Sequence, residues 1–246
     1  MFEAPQLPYS PEALAAHGFS AEGLTLHINY QRACYQRLIA EFARARRRAG
    51  EQIEGEVIHP ELVELPEKIW TEQYGDFGAS PESIQALEQV IQKERGLVQI
   101  AASQVWAHQF FWASMRPTEA PLEGELSRAI QEGFGGIEGL KARALALADA
   151  QLGAAWLYLC TRDDGTLRLI ACVNSDTPVS RSQLYPLLCC DLWQHAYQLD
   201  LPATVEGQLE RWWRVVNWPF AAQRYAALLS RVTQRAEDVP DSSTLD

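Results

Sequence analysis

Two long helical patterns, one on each side of a stretch of unlike composition, constrain this chain most. From Leu24 to Ala49, the residues Leu26, Tyr30, Cys34, Leu38 and Phe42 recur every fourth position, which gives a helix one apolar stripe. RARRR at 44–48 places cations at the helix C-terminus, where the backbone dipole favours them, and Gly50 stops the helix. That basic run reads as a helix end with a solvated face, not as a nucleic-acid patch. The second pattern runs from Pro81 to Met115, capped by SPES at 80–83 and ended by Pro117 and Pro121. Joined by a loop, the two predict an antiparallel helical hairpin. The segment 48–80, with mixed acids, Pro60, Pro66 and GDFGAS, reads as a long inserted connection.

The second half changes character. Helical patterns at 122–133 and 136–150 precede AAWLYLCTRDDGTLRLIACVN, two β-rich runs around the turn DDG, which predicts a hairpin. QLYPLLCCDLW reads as a third strand, and helices are expected over 205–215 and 218–235. The fold class is α+β. A long antiparallel α-hairpin occupies residues 1–116, a C-terminal α/β domain with a three-stranded antiparallel sheet occupies 121–235, and 236–246 is a tail. At the front, Ser10 with Pro11, and then Ser20, read as helix starts.

Charge narrows the partners. The net charge of −11 argues against nucleic acid, which wants a basic face. It also requires that an anionic substrate be drawn in by a local field. The five cysteines (Cys34, Cys160, Cys172, Cys189 and Cys190) are odd in number, irregularly spaced and without a CxxC pair. They read as buried reduced thiols of a cytoplasmic protein. No basic n-region precedes an apolar run at the front, so no signal peptide is expected, and ALALADAQLGAAWLYLC is too broken to span a bilayer.

The chain has five histidines: His17, His27, His59, His108 and His195. His27 lies near the start of the first long helix and His108 near the end of the second, so a hairpin brings them to one end. The end of the third strand can add Asp191 and His195. Three neutral imidazoles and a carboxylate suit iron, manganese or zinc. A satisfied core histidine remains the plainer reading of any one of them, and His59 reads as a surface residue.

The surrounding segments add what spacing lacks. QVWAHQFFW (104–112) closely resembles the QVWNHTFYW segment of iron-type superoxide dismutases, and DLWQHAY (191–197) resembles the signature D-x-W-E-H-A-Y of the same family. LPYSPEAL, the region of His27, LGAAW at 152–156 and VNWPF at 216–220 match in order. On these motifs the chain is identified as a member of the iron/manganese superoxide dismutases, the resemblance spanning residues 2–232. It implies disproportionation of superoxide at a mononuclear iron, or manganese, held by His27, His108, Asp191 and His195 with a solvent molecule as fifth ligand. It further implies that Gln104 hydrogen-bonds this solvent, with small Ser175 leaving room for it. Tyr35 would stand beside the substrate funnel, Trp112, Trp156 and Trp193 would form an aromatic wall, and Tyr197 would support the site.

Three gateway and interface positions depart from the family pattern. Gln194 stands for the signature glutamate that reaches across the dimer, Gln31 for a gateway histidine, and Gln198 for a tyrosine. Together they suggest a homo-oligomer with a non-standard interface. Tyr30 and Arg32 stand where the family often has Lys and His; Arg32 is a candidate for the local positive field. The alternative reading is a dismutase-like scaffold with little activity, binding metal or a partner through the inserted segment.

Overall fold

The computed structural model describes residues 7, 9–48, 81–181 and 183–237. The inserted segment with His59, the expected Ser80 cap and the last residues of the tail lie outside that description. A single turn, α1 (Glu12–Ala15), comes first. Its boundary residue is Pro11, already helical in backbone, with no side-chain cap, in place of the expected Ser10 cap. Helix α2 spans Ala21–Arg48, with the three arginines of its last turn where the dipole favours them. Ser20 does cap it: its Oγ accepts from Gly23 N at 3.0 Å.

The second long pattern is two helices and not one. α3 (Pro81–Lys93) and α4 (Leu97–Ala113) are separated at Gly96, whose φ of 68° is left-handed and ends a regular α-helix. α4 is buried all round from Ala101 through Ala113, as expected of a helix apolar on every side. It packs between α2 and α3 and against the sheet, forming the core of the molecule.

After α4 come α5 (Gly124–Phe134) and α6 (Ile137–Asp149), then strands β1 (Ala155–Thr161), β2 (Leu167–Val173) and β3 (Tyr185–Asp191). The sheet order is β2-β1-β3, antiparallel throughout. Central β1 is buried along its whole length. α7 (Val205–Trp213) and α8 (Trp218–Glu237) complete the chain. The architecture is the expected one: helices first, then a three-stranded antiparallel sheet with helices about it.

Ser114 joins these parts. At the end of α4 its Oγ donates to Phe110 O (2.7 Å) and accepts from Cys189 N on β3 (2.9 Å). Its carbonyl accepts from Asn217 N at 2.8 Å, and Asn217 Nδ2 donates to Ala113 O at 3.0 Å. α4, β3 and the start of α8 are thus tied at one point, which fixes the end of α4 that carries His108 against the strand that carries Asp191.

Candidate metal centre

Four side chains from four different elements converge. His27 comes from the second turn of α2, His108 from the last turns of α4, Asp191 from the end of β3, and His195 from the 3-10 turn Gln194–Ala196. One ligand atom of each lies within 4.8 Å of the others. His27 Nε2 is 3.0 Å and His195 Nε2 3.2 Å from Asp191 Oδ2.

Local bonds decide which atoms are free. His108 Nδ1 is 2.7 Å from the carbonyl of Gln104, one helical turn earlier. A carbonyl only accepts, so Nδ1 carries the proton and the Nε2 lone pair is free. Asp191 Oδ1 accepts from Trp193 N at 2.8 Å, which ties down one carboxylate oxygen and leaves Oδ2. His27 Nε2, His108 Nε2, His195 Nε2 and Asp191 Oδ2 are buried without a hydrogen-bond partner. Buried polar atoms are rarely left so, because the desolvation cost goes uncompensated. Four such atoms converging, three of them imidazole nitrogens, fit a bound metal ion.

Electrostatics favour the metal-ready protonation states. Burial, and then the neighbouring His27, press the His108 pKa down to about 3. Burial also lowers that of His27, against the pull of Asp191. Burial alone would raise the Asp191 pKa, but its contacts with His195 and His27 outweigh it and hold the carboxyl below the usual range. Neutral His27 and His108 beside an anionic Asp191 give a cation a carboxylate to bind without competing imidazolium charge from those two rings.

An aromatic wall surrounds the cluster. Trp112 lies 4.7 Å from His27, Trp156 5.0 Å from His108 edge-on, and Trp193 5.6 Å from His195, between ring centroids. The sheet register sets the second of these, since Trp156 on β1 pairs directly with Asp191 on β3. Phe111 stacks on His27 at 5.1 Å, a contact not anticipated from the sequence.

Other expected residues sit where their roles can be compared with their bonds. Gln104 is close to Ser175, but its Nε2 donates to Asn174 O and to Ser175 Oγ, both at 3.0 Å. Its Oε1 is buried and without a partner, so the amide offers an acceptor, its donors being committed to the 174–175 loop. Gln31 is buried and turned inward, its Oε1 accepting from Trp112 Nε1 at 2.9 Å. Tyr35 lies partly buried against the core two turns beyond His27. Gln194, Gln198 and Arg32 are exposed, and Tyr197 is half-buried. Tyr30, expected only as a departure from the family's basic position, makes a contact the sequence did not foresee: its ring stacks on His195 at 4.0 Å and 17°. The signal available was its spacing, three residues after His27 on one helix face.

The model for "Iron/manganese superoxide dismutases, C-terminal domain" matches residues 122–224. The chain is 30% identical over 227 residues, 92% of its own length, to a protein named "Superoxide dismutase [Fe]" from Escherichia coli K12, of which it covers 99%. This chain belongs to the iron/manganese superoxide dismutase family. The protein of the same name from Salmonella typhimurium is 30% identical over the same share of both chains. That of Bordetella pertussis is 35% identical over 142 residues, 57% of this chain and 73% of the relative. In this dismutase-family chain, among the described residues, no helix is long and apolar enough to cross a membrane.

Proposed function

We propose that this chain disproportionates superoxide to oxygen and hydrogen peroxide at a single iron, or manganese, held by His27, His108, Asp191 and His195. The observation that carries this reading is the convergence of four buried, partnerless donor atoms within 4.8 Å, in a chain whose relatives are named iron superoxide dismutases. A redox-active metal supplies an electron acceptor for one superoxide and a donor for the next.

The chain's own residues make that exchange possible. The Gln104 carbonyl fixes the His108 tautomer, and Trp193 N keeps Asp191 singly available, so the donor set is preorganised. Trp112 and Trp156, both fully buried, keep bulk water from the inner side of the cluster, and Trp193 and His195 line the cavity that opens toward solvent. Gln104 Oε1 would accept a hydrogen bond from a proton-bearing group near the ligands, and Ser175, by holding the amide through its Nε2, sets where that acceptor stands. Tyr35 would order the proton supply from α2.

The changed interface positions Gln31, Gln194 and Gln198 also motivate a homo-oligomer with a non-standard interface. Leu152 (104% exposed), Leu201 (90%) and Leu199 (51%) face solvent. Leu152 and Gln194 line one cavity of about 440 Å³ that reaches His195, so a second copy seated there would close the site. Light scattering on a sizing column should return a multiple of 27.6 kDa. The free cysteines, four of them buried and Cys34 half-buried, fit a reducing compartment such as the cytoplasm.

The test is to load the metal-free protein separately with iron and with manganese and follow superoxide decay by stopped flow. A second-order rate approaching about 10⁸–10⁹ M⁻¹s⁻¹ with one metal is expected. Decay at the buffer rate with both metals bound would refute the reading.

A further inference from the structure

The four ligand positions are not equally supported. His27 and His108 stand within long helices and Asp191 ends a strand held by ladder bonds, whereas His195 stands on a three-residue 3-10 turn. It is also the most exposed of the four, its side chain 10% accessible against 3% for His27 and 0% for Asp191. A ligand on a short turn keeps more freedom of ring rotation, and its open side admits water.

Tyr30 lies against it. Its ring is nearly parallel to the His195 imidazole (17°) at a centroid distance of 4.0 Å, and also lies 5.7 Å from His108 and 6.0 Å from Trp193. The neighbouring Gln31 cannot share this task, because its side chain is buried and bonded to Trp112. Tyr30 is itself only partly buried, so its outer face is toward solvent and its inner face on the ligand. α2 thus presents two successive side chains to the site, one locking Trp112 from inside and the other covering His195 from outside.

We infer that Tyr30 is a positioning residue of the metal centre: by face-to-face stacking it fixes the plane of His195 and shields the site from small anions and chelators. This rests on the metal-centre reading above. The stack needs the ring, not the hydroxyl, because aromatic contact with the imidazole is a property of the ring face. Tyr30→Phe should therefore keep what Tyr30→Ala loses.

The test uses full-length iron-loaded wild type, Tyr30→Phe and Tyr30→Ala, with two readouts besides turnover. The first is the rate of iron release to an excess of a ferrous chelator after reduction. The second is the affinity for azide, a small linear monoanion, followed by its visible absorption band on ferric protein. Removing a side chain that orients a ligand weakens metal retention by roughly 10–100-fold. Iron release about tenfold faster or more and tighter azide binding are expected for Tyr30→Ala, with Tyr30→Phe near wild type. Unchanged release and azide affinity in Tyr30→Ala overturn the inference, as does a Tyr30→Phe variant as impaired as Tyr30→Ala. Matching melting curves of the three metal-free proteins separate loss of positioning from loss of folding. Wild-type protein that takes up no iron, or takes it up equally well as His27→Ala, refutes the metal-centre reading instead, and so the two failures are distinguishable.

Discussion

Trp112 carries a buried indole N–H whose acceptor is the Oε1 of Gln31. Substituting Gln31→Leu keeps the volume and strands that donor. A loss of about 1–3 kcal/mol is expected, read as a lower melting temperature, and a tilt of Trp112 would be felt by His27, 4.7 Å away. A second prediction follows from protonation. The His108 pKa, pressed by burial down to about 3, and the lowered one of His27 lie below the ordinary histidine value of 6.5. The folded metal-free chain then binds fewer of these protons than the unfolded chain. The stability linked to them is complete above pH 6.5 and is lost as pH falls from there toward 3. Melting temperatures of metal-free protein should be flat, as far as these two groups decide them, above 6.5 and decline on acidification; a decline confined to alkaline pH would contradict the assignment. At this scale the convergence of His27, His108, Asp191 and His195 was legible, since QVWAHQFFW and DLWQHAY carry three of them and the helical hairpin brings His27 to the end that holds His108. The direction of an amide was not. Gln31 and Gln104 find partners, Trp112 and Asn174, that lie 81 and 70 residues away in sequence, and no local pattern encodes that.

Elements were legible where periodicity is long and misjudged where one residue interrupts it. The helical pattern of 81–115 reads as one helix only if the polar run Gln92–Gly96 is taken as an exposed turn of it; the left-handed φ of Gly96 makes two. The hairpin and third strand were readable from their turn and from β-rich runs, and the register that sets Trp156 beside Asp191 emerged only in the fold. The start of α2 is sharply constrained. Ser20 N donates to Asp200 Oδ1 at 2.8 Å, and Asp200 is itself buried against Arg211. A Cβ on Gly23 would meet Asp200 Oδ1 at 2.7 Å and Ser20 Oγ at 2.9 Å. Gly23→Ala must therefore push Asp200 off Ser20 or shift the helix start, one turn before His27. Crowding of this kind costs about 1–3 kcal/mol, and the variant should both melt lower and hold less iron. Normal metal content in a protein of normal stability would show that α2 is not pinned there.

At the scale of the whole molecule, two of the four converging side chains come from the helical half and two from the half that contains the sheet. Arg224 on α8 links the halves on another side: it donates to Pro186 O at 2.8 Å and to Glu88 on α3 at 3.2 Å, and lies over the Phe110 ring. An ion that binds the folded chain and not the unfolded one raises stability by mass action, by about 4 kcal/mol at a thousandfold excess over Kd. Iron-loaded protein should accordingly melt several degrees above metal-free protein, and His195→Ala should remove most of that difference. Equal melting temperatures with and without bound iron would mean the halves are already held by other contacts. A single ion held by the four proposed ligands would also change the topology of the chain. It would close a ring from residue 27 to residue 108, and residues 49–80 fall inside that ring. The entropy of closing a ring grows only as the logarithm of its length, so for a flexible chain those residues add roughly half a kcal/mol. A clasp of this kind is nearly indifferent to how much chain it encloses, so the stretch between its two histidines can lengthen at little cost.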